Sequence, residues 1–356
     1  MPRKTFYKSI TSPELTEKIN PENLKLLDEF IREKDRKCSL QTLAGYKSDL
    51  NLFYTWNLLH NNNKHFPEIK KREFANFFNF GMTELQWKSA RFSRVRSVLS
   101  SFSDFFCKYY DEDYPTYRPI IKTVIESIPK TPSRKKTVLS EEQVDSLLLH
   151  LKESDRPQEA LLLAVAISSG MRIGELVQMT TDLIDENNTA FDDVFLETTD
   201  EIRTKGSGKE GYRITKFFIK DLLLPYYKTW LPIRERILKE QGQEHNALFI
   251  KRNGTPADLF TFRQWQTKWE KFLDVDLYFH AYRKYTVTHL TRIGLSQDFI
   301  IEIIGWRSGD AMYRLYCDLT AKDKKWKDTD KLAAYLATKE NEKESEGLEQ
   351  EVSLYC

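Results

Sequence analysis

Apolar side chains recur at helical spacing through most of the first 127 residues. A helix is predicted from Asn20-Pro21-Glu22 onward, because proline is common in the first turn of a helix and apolar residues follow at helical spacing. A second helix is predicted from Ser39, a residue type that caps helix starts. Its apolar stripe comprises Leu43, Tyr46, Leu50, Phe53 and Trp56. Similar spacing over 72–80 and 87–110 completes a helical region.

After residue 137 the spacing of apolar residues is helical in some segments and strand-like in others. Ser140 and Gln143 have the spacing of a capping box, which predicts the start of a further helix. Another helix is predicted over 156–169, and a third begins near Glu175. The second half of the chain therefore also contains helices, but they are interrupted.

Two segments of the second half have strand composition. Asp193–Thr204 and Tyr212–Ile219 are rich in Phe, Thr, Ile and Val and flank a Lys-Gly-Ser-Gly-Lys turn. They predict a small antiparallel sheet, and the pattern is helical again from Lys220. Because the βαβ alternation of a doubly wound sheet is missing, we expect a mainly α fold with a small antiparallel sheet, an α+β class.

A break at 128–137 separates the two halves, since two prolines interrupt helix formation there and four cations lie close together. We interpret it as an inter-domain linker. The expected organisation is a flexible arm over 1–19, a helical domain over 20–127, a basic linker over 128–137, a mixed domain over 138–339 and an acidic tail over 340–356.

Composition and charge narrow the class of protein. With 356 residues the chain is long enough for two domains with buried cores, and its low content of Gly (13) and Pro (12) argues against wholesale disorder. The net charge is only +2, but the tail carries six glutamates against one lysine. The rest of the chain is therefore basic, which is compatible with a polyanionic partner.

Several classes of function are excluded or disfavoured. The four cysteines are scattered, and the histidines lack ligand-like spacing, so we expect no metal site, no disulfide framework and no cofactor. The motifs of P-loop nucleotidases, serine hydrolases and zincins are absent. No apolar run is long enough to span a bilayer, and the first residues lack the apolar segment of a signal peptide, so we expect a cytoplasmic protein without membrane contact.

Four short features occur in order along the second half: Ser169-Gly170-Met171-Arg172-Ile173-Gly174-Glu175-Leu176, Thr204-Lys205-Gly206, His280-Ala281-Tyr282-Arg283, and Gly305-Trp306 followed by Tyr316. Together they resemble the active site of the tyrosine recombinases, the family of phage integrases and of Xer-type and Cre-type enzymes. The resemblance extends to the first half, where Ser39, Thr42, Tyr46, Asp49-Leu50, Phe53 and Trp56 are similar to the family's amino-terminal DNA-binding helix. It implies the family's two-domain clamp, with a SAM-like core-binding domain before the catalytic domain.

Two arginines are candidates for holding a phosphate. Planar guanidinium groups bind phosphate bidentately and offset charge in a pentavalent transition state, so Arg172 and Arg283 fit this role. Glu175, three residues after Arg172, can orient its guanidinium.

His280 shares a helix face with Arg283, and it is the candidate general base or proton shuttle. The resemblance implies that Lys205 protonates the departing 5′-oxygen. Lys209, in the same turn, stays as an alternative.

The resemblance also suggests the nucleophile. Tyr316 would attack phosphorus and leave a 3′-phosphotyrosine, and Tyr313 on the same helix face is the alternative. Trp306 occupies a position that is His or Trp in the family, and its indole N–H can donate to a phosphate oxygen.

Basic patches supply candidate DNA contacts, since phosphate neutralisation is their usual contribution to binding. The residues are Lys88, Arg91, Arg94, Arg134, Lys135, Lys136 and Lys209.

The implied function is site-specific DNA recombination or integration through a covalent tyrosyl intermediate, without metal. The implied partners are double-stranded DNA, further copies of the chain as a dimer on each site and a tetramer on paired sites, and an accessory DNA-bending or directionality protein. The acidic tail would dock on a neighbouring protomer, and the protein would be associated with the nucleoid. The alternatives are a catalytically silent DNA-binding regulator of the same fold and a relative of type IB topoisomerases.

Overall fold

The computed structural model describes residues 9–129, 137–206, 210–306 and 309–317. The chain forms two compact units. The amino-terminal unit ends at Lys135 and the carboxy-terminal unit begins at Lys136, with Lys205–Tyr212 grouped with the former.

The amino-terminal unit is helical, and its helices start where the sequence predicts. The Asn20 side chain accepts a hydrogen bond from the Glu22 N–H at 3.0 Å, and the Ser39 hydroxyl accepts one from the Thr42 N–H at 3.3 Å. A 3₁₀ turn covers Phe66–Glu68. The helices are α1 Pro13–Thr16, α2 Pro21–Asp35, α3 Leu40–His60, α4 Lys71–Thr83, α5 Ser89–Tyr109 and α6 Ile121–Val124.

The core of this unit is aromatic. Phe53 on α3 stacks on Phe74 of α4 with ring centroids 5.4 Å apart, and Phe66 meets Phe102 of α5 edge to face at 4.7 Å. These rings are completely buried. Aromatic pairs of this kind stabilise a core beyond their buried area, and helices α2 to α6 all contribute buried residues to this cluster.

The carboxy-terminal unit contains eight helices among the described residues. The predicted capping box is present, since the Ser140 hydroxyl accepts from the Gln143 N–H at 3.2 Å and the Gln143 side chain accepts from the Ser140 N–H at 3.0 Å. The helices are α7 Glu141–Glu153, α8 Pro157–Ser169, α9 Ile173–Leu176, α10 Lys220–Gln241, α11 Leu259–Leu273, α12 Phe279–Arg292, α13 Gln297–Ile304 and α14 Gly309–Tyr316.

Five short strands lie between α9 and α10: β1 Ile184–Ala190, β2 Phe195–Thr198, β3 Ile202–Thr204, β4 Tyr212–Ile214 and β5 Phe217–Ile219. The order β1-β2-β5 forms one antiparallel sheet, in which Ala190 is opposite Phe195 and Leu196 is opposite Phe218. Strands β3 and β4 pair separately. The expected class, mainly α with a small antiparallel sheet, is confirmed.

The strands differ from the sequence prediction in two ways. Each predicted strand is split in two, and at the second break the Lys216 N–H donates to the Thr198 hydroxyl at 3.0 Å in place of a main-chain acceptor. Strand β1, which carries Asp185 and Glu186, has no counterpart among the strands that the sequence predicts. It lies at the edge of the sheet with most of its side chains exposed or half-buried, a position that tolerates polar residues.

Two glycines allow close packing at helix ends in this unit, one against a helix and one against a strand. Gly170 ends α8 with φ 60°, and a Cβ there would lie 2.6 Å from Cδ1 of Ile304. Gly305 ends α13 with φ 73°, and a Cβ there would lie 2.7 Å from Cδ1 of Ile214. Both positions need the left-handed conformation that glycine adopts without strain.

Within the described part of the chain, every helix is too short or too polar to cross a lipid bilayer.

Candidate active site

Glu175 is the centre of a buried charge cluster in the carboxy-terminal unit. Its carboxylate accepts hydrogen bonds from the backbone N–H of Arg172 at 2.9 Å and from the Arg172 guanidinium at 2.8 Å. Thr204, at the end of β3, donates its hydroxyl to the carboxylate and accepts from the same guanidinium at 3.1 Å. Arg172 is therefore held by α9 and by the sheet, while 21% of its side chain stays exposed.

Arg283 on α12 approaches the cluster from the other side. Its NH1 donates to the carbonyl of Gly170 at 2.9 Å and lies 3.9 Å from Glu175 Oε2. The residue is completely buried, yet its Nε and NH2 have no hydrogen-bond partner among the described residues. Burial and the charge of Arg172 lower the pKa of Arg283 to about 10, so it stays a cation at neutral pH.

Lys216 is a third cation in the cluster. Its Nζ lies 3.2 Å from Glu175 Oε2 and donates to the carbonyl of Ile304 at 3.0 Å. The side chain is completely buried. Burial lowers the pKa of Lys216 to about 8, although the Glu175 charge opposes that shift.

One carboxylate thus faces three cations. Burial alone would raise the pKa of Glu175, but Lys216, Arg283 and the hydrogen bond from Thr204 bring it to about 2. At neutral pH the cluster therefore has an excess of positive charge in a place with little water. Such a cluster attracts an anion that can take up the remaining donors.

Three aromatic groups border this cluster. The Trp306 ring lies 5.1 Å and the Tyr316 ring 5.5 Å from the guanidinium carbon of Arg283. The buried Trp306 Nε1 has no hydrogen-bond partner among the described residues. The Tyr316 hydroxyl lies 3.3 Å from Nδ1 of His280, which is exposed on the same face of α12 as Arg283. The structure therefore brings together Arg172, Glu175, His280, Arg283, Trp306 and Tyr316.

Tyr313 lies on the same helix but in different surroundings. Its hydroxyl is 3.0 Å from Thr291 Oγ1, while its ring, like that of Tyr316, packs against the apolar cluster that includes Val287 and Ile300. Burial raises the pKa of Tyr313. It is the Tyr316 hydroxyl that lies beside His280.

Of the two candidate lysines in the β3–β4 turn, the structure describes only Lys205. Lys205 directly follows Thr204 and is exposed, and it is not among the cations that contact Glu175. Lys209 lies outside the described residues, as do Arg134, Lys135 and Lys136 of the linker and the whole acidic tail.

The candidate DNA contacts of the amino-terminal unit surround a second buried carboxylate. Asp49 on α3 accepts two hydrogen bonds from Arg94, at 2.8 and 2.9 Å, and pairs with Arg91 at 2.6 Å. Its side chain is completely buried, whereas the Arg94 side chain is 55% exposed. Lys88 is exposed at the start of α5. We refer to Asp49, Arg91 and Arg94 as the Asp49 cluster.

Two residues of the cluster, Lys216 and Thr204, were not assigned a role from the sequence. Lys216 lies two residues before Phe218, which is completely buried, so the period of two residues in extended chain places both side chains on the inward face. A charged residue at such a position needs a buried partner, which would have pointed to a carboxylate such as Glu175. Thr204 offered no signal beyond its place next to Lys205.

The chemistry available is that of cations and hydrogen-bond donors around a phenol. Among the described residues, His, Cys, Asp and Glu side chains form no group of three that could hold a metal ion. The donors that face the phenol are guanidinium and indole N–H groups, which match the oxygens of a phosphate. The arrangement fits attack by a phenol oxygen on a bound phosphate ester.

Comparison with known proteins agrees with this geometry. The profile of the phage integrase family matches residues 137–323. The chain is 24% identical over 259 residues to the SPbeta prophage-derived recombinase-like protein YomM of Bacillus subtilis, covering 69% of this chain and 72% of that protein. It is 27% identical over 174 residues to tyrosine recombinase XerD of Pasteurella multocida, covering 46% of this chain and 53% of XerD. The XerH site-specific recombinase bound to palindromic difH substrate, a post-cleavage complex, has a similar fold, with a TM-score of 0.63 at 16% identity over 87% of each chain.

Proposed function

Because the chain belongs to the phage integrase family, the tyrosine recombinases, we propose that it is an active site-specific DNA recombinase that cleaves and rejoins strands through Tyr316. Membership of this family supports a site-specific recombinase or integrase function. The catalytic activity and the residue roles are our proposal.

One observation carries the proposal. Arg283 is completely buried and has two nitrogens without a hydrogen-bond partner among the described residues, next to the similarly unpartnered indole N–H of Trp306. Leaving buried donors unpaired costs about 1–3 kcal/mol each, more for a charged group. Such donors are explained when a substrate supplies the acceptors, and a DNA phosphate does so.

The proposed reaction is a transesterification. The Tyr316 oxygen forms a bond to the scissile phosphorus while the bond from phosphorus to the 5′-oxygen breaks. The phenol proton passes to His280, whose Nδ1 is 3.3 Å from the hydroxyl. Arg172, Arg283 and Trp306 hold the phosphate oxygens and offset their charge in the transition state.

The leaving 5′-oxygen takes a proton from Lys205, in the exposed turn after β3. The resulting 3′-phosphotyrosine keeps the energy of the phosphodiester bond, so the 5′-hydroxyl of a second strand can attack it and reseal the DNA. Since cationic side chains supply the positive charge, we propose that the reaction needs no metal and no cofactor.

Double-stranded DNA is the proposed partner of both units. We propose that the amino-terminal unit, over 20–127, is the SAM-like core-binding domain and that residues 138–339 form the catalytic domain. Lys88, Arg91 and Arg94 would contact phosphates, with Asp49 fixing the two guanidinium groups, and the basic residues of the linker and Lys209 would add further contacts.

The assembly is proposed by analogy with the family: a dimer on each site and a tetramer on paired sites. The acidic tail over 340–356 would dock on the neighbouring protomer, and an accessory DNA-bending or directionality protein would assist. Because its substrate is DNA, the protein would act in the cytoplasm with the nucleoid.

The test is covalent trapping. Wild type, Tyr316→Phe and Tyr313→Phe are incubated with supercoiled DNA that carries the segment flanking the protein's own gene, in EDTA, and SDS-resistant protein–DNA adducts are measured. We expect adducts with wild type and Tyr313→Phe and none with Tyr316→Phe. Adducts that need added metal would overturn metal independence. Specific binding without any adduct would favour a DNA-binding regulator instead.

A further inference from the structure

Lys216 has no role in the reaction proposed above, although it lies next to the residues that do. Its ammonium is completely buried and, unlike Nε and NH2 of Arg283, is already engaged by protein groups among the described residues, Glu175 and the carbonyl of Ile304. A buried ammonium is costly unless a partner compensates it, and here the partner is Glu175 at 3.2 Å. The contacts of Lys216 within the cluster should therefore show what its buried charge does there.

The ammonium joins two segments that are far apart in the sequence. One contact is with Glu175, which also holds the guanidinium of Arg172. The other is the carbonyl of Ile304, at 3.0 Å, in the last residue of α13. Gly305 and Trp306 follow directly, so Lys216 connects the support of the phosphate-binding arginine to the segment that presents the indole.

The backbone of Lys216 is fixed as well. Its N–H donates to the Thr198 hydroxyl at 3.0 Å, and its carbonyl accepts from the Thr198 N–H at 2.9 Å. Thr198 is itself buried at the end of β2. The ammonium is thus held by the sheet, while a Cβ on Gly305 would lie only 3.7 Å from it.

The charges that face Lys216 come from three directions. Glu175 on α9 attracts it, and Arg172 before α9 and Arg283 on α12 repel it. Without the ammonium, Arg172 and Arg283 would be the cations that remain beside Glu175. The hydrogen bond from Lys216 to the carbonyl of Ile304, at the end of α13, would also be lost. Both changes would move the groups that hold the phosphate.

We propose that Lys216 is a positioning residue, which locks the Glu175–Arg172 pair to the end of α13 so that Arg172, Trp306 and Tyr316 converge on the scissile phosphate. This inference rests on the proposed function. A displacement of about 1 Å in such a site can reduce the rate about 100-fold.

The primary variant is Lys216→Met, which removes the charge and keeps the length. Lys220→Met is the matched control, since Lys220 pairs with Asp193 on the surface at 2.6 Å. Cleavage rate at saturating DNA and DNA affinity are measured separately. We expect Lys216→Met to cleave about 10- to 100-fold more slowly, with affinity within about threefold of wild type. Lys220→Met should stay within about twofold on both measures.

A cleavage rate for Lys216→Met within about twofold of wild type would overturn the proposal. So would a loss of DNA affinity with an unchanged rate, which is the behaviour of a phosphate-contacting lysine. If wild type itself forms no adduct, the proposed function fails, and that result is distinct from either outcome for the variant.

Lys216→Arg tests whether the charge at this position matters. The pKa of Lys216 is lowered to about 8, so its charge is lost as the pH rises above that value, whereas arginine stays charged. We expect the ratio of the Lys216→Arg rate to the wild-type rate to rise between pH 7 and 9 (roughly one unit either side of that pKa). A ratio that stays flat would contradict the role of the charge.

Either single variant can fail to fold, because each changes a buried charge. The double variant Glu175→Gln/Lys216→Met removes both members of the pair and leaves no uncompensated carboxylate. It is expected to fold, as judged by circular dichroism, and to cleave about 10- to 100-fold more slowly. A folded double variant with the wild-type rate would overturn the proposal.

Discussion

Each unit of this protein buries one carboxylate among arginines, and the two clusters differ in what they leave unpaired. In the Asp49 cluster, two arginines saturate the carboxylate, and Arg94 is more than half exposed. Around Glu175, three cations share one carboxylate, and two nitrogens of the buried Arg283 have no partner among the described residues.

The pKa values of the two carboxylates are also shifted in opposite directions. Burial raises the pKa of Asp49, and the charge of Arg94 only partly offsets it. Burial likewise acts on Glu175, but Lys216 and Arg283 outweigh it and the pKa falls to about 2. A carboxylate among arginines is therefore not by itself a sign of an anion site.

A buried carboxylate whose arginines are all paired positions those arginines. A buried carboxylate surrounded by more hydrogen-bond donors than it can accept from leaves donors free to bind an anion. The Asp49 cluster satisfies its carboxylate and orients two arginines toward the surface. The Glu175 cluster keeps positive charge and hydrogen-bonding capacity for a ligand.

The largest effect is expected from Arg283→Lys. Lysine keeps the charge but loses the planar fork that binds phosphate bidentately. We expect the rate of covalent cleavage at saturating DNA to fall about 10²- to 10³-fold, as for removal of one donor in an oxyanion site. Single-turnover adduct formation measures it.

The matched control is Arg94→Lys, the same exchange in the Asp49 cluster. Because Arg94 is exposed and is proposed to contact a DNA phosphate other than the scissile one, the cleavage rate at saturating DNA should stay within about twofold of wild type. Equal losses of rate in the two variants would show that the clusters do not differ in the way argued here.

A smaller effect is expected from Asp49→Asn, which weakens the hold on two arginines. Since both partners are partly exposed, the cost should be about 1–3 kcal/mol rather than that of a fully buried pair. Thermal unfolding of the intact chain measures it, and DNA affinity should fall while the cleavage rate at saturating DNA persists. A lost cleavage rate with unchanged affinity would contradict this assignment.

The smallest effect is a difference in acid response. The lowered pKa of Glu175 means that its stabilising contribution is complete above its ordinary value of 4.5 and is lost as the pH falls through about 2. The raised pKa of Asp49 has the opposite sign, because the folded state then binds the proton more tightly than the unfolded state and gains stability as the pH falls.

Thermal unfolding of wild type, Glu175→Gln and Asp49→Asn between pH 7 and 2 (roughly spanning both windows) tests this difference. The deficit of Glu175→Gln relative to wild type should shrink toward acid pH, and the deficit of Asp49→Asn should grow. If the stability deficits of the two variants changed with pH in the same way, the pKa values of the two carboxylates would not be shifted in opposite directions.

Local rules predicted much of the fold. The caps at Asn20, Ser39 and Ser140 and the left-handed end of α8 at Gly170 are set by neighbouring residues, and all four lie where the pattern indicates. Strand β1 could not be predicted in this way, because its polar residues are tolerated only by virtue of the edge position that tertiary structure gives it.

The residues of the candidate site also divide into those that local sequence predicted and those that only the tertiary structure brought together. Arg172, His280 and Arg283 belong to short motifs, so the sequence pointed to them before their side chains were located. Lys216 belongs to no motif, and its role depends on the fold bringing it to Glu175 and Ile304. The Asp49 cluster likewise depends on the packing of α3 against α5, which the spacing of Arg91 and Arg94 on one helix face does not reveal.

The central claim is that Tyr316 becomes joined to DNA, and peptide mapping of the trapped adduct tests it most directly. Trypsin cleaves after Arg314, so Tyr313 and Tyr316 fall on separate peptides. After nuclease digestion of the adduct, we expect the nucleotide remnant on the peptide that begins at Leu315, attached to Tyr316. A remnant on the peptide that contains Tyr313, or on any other residue, would contradict the account.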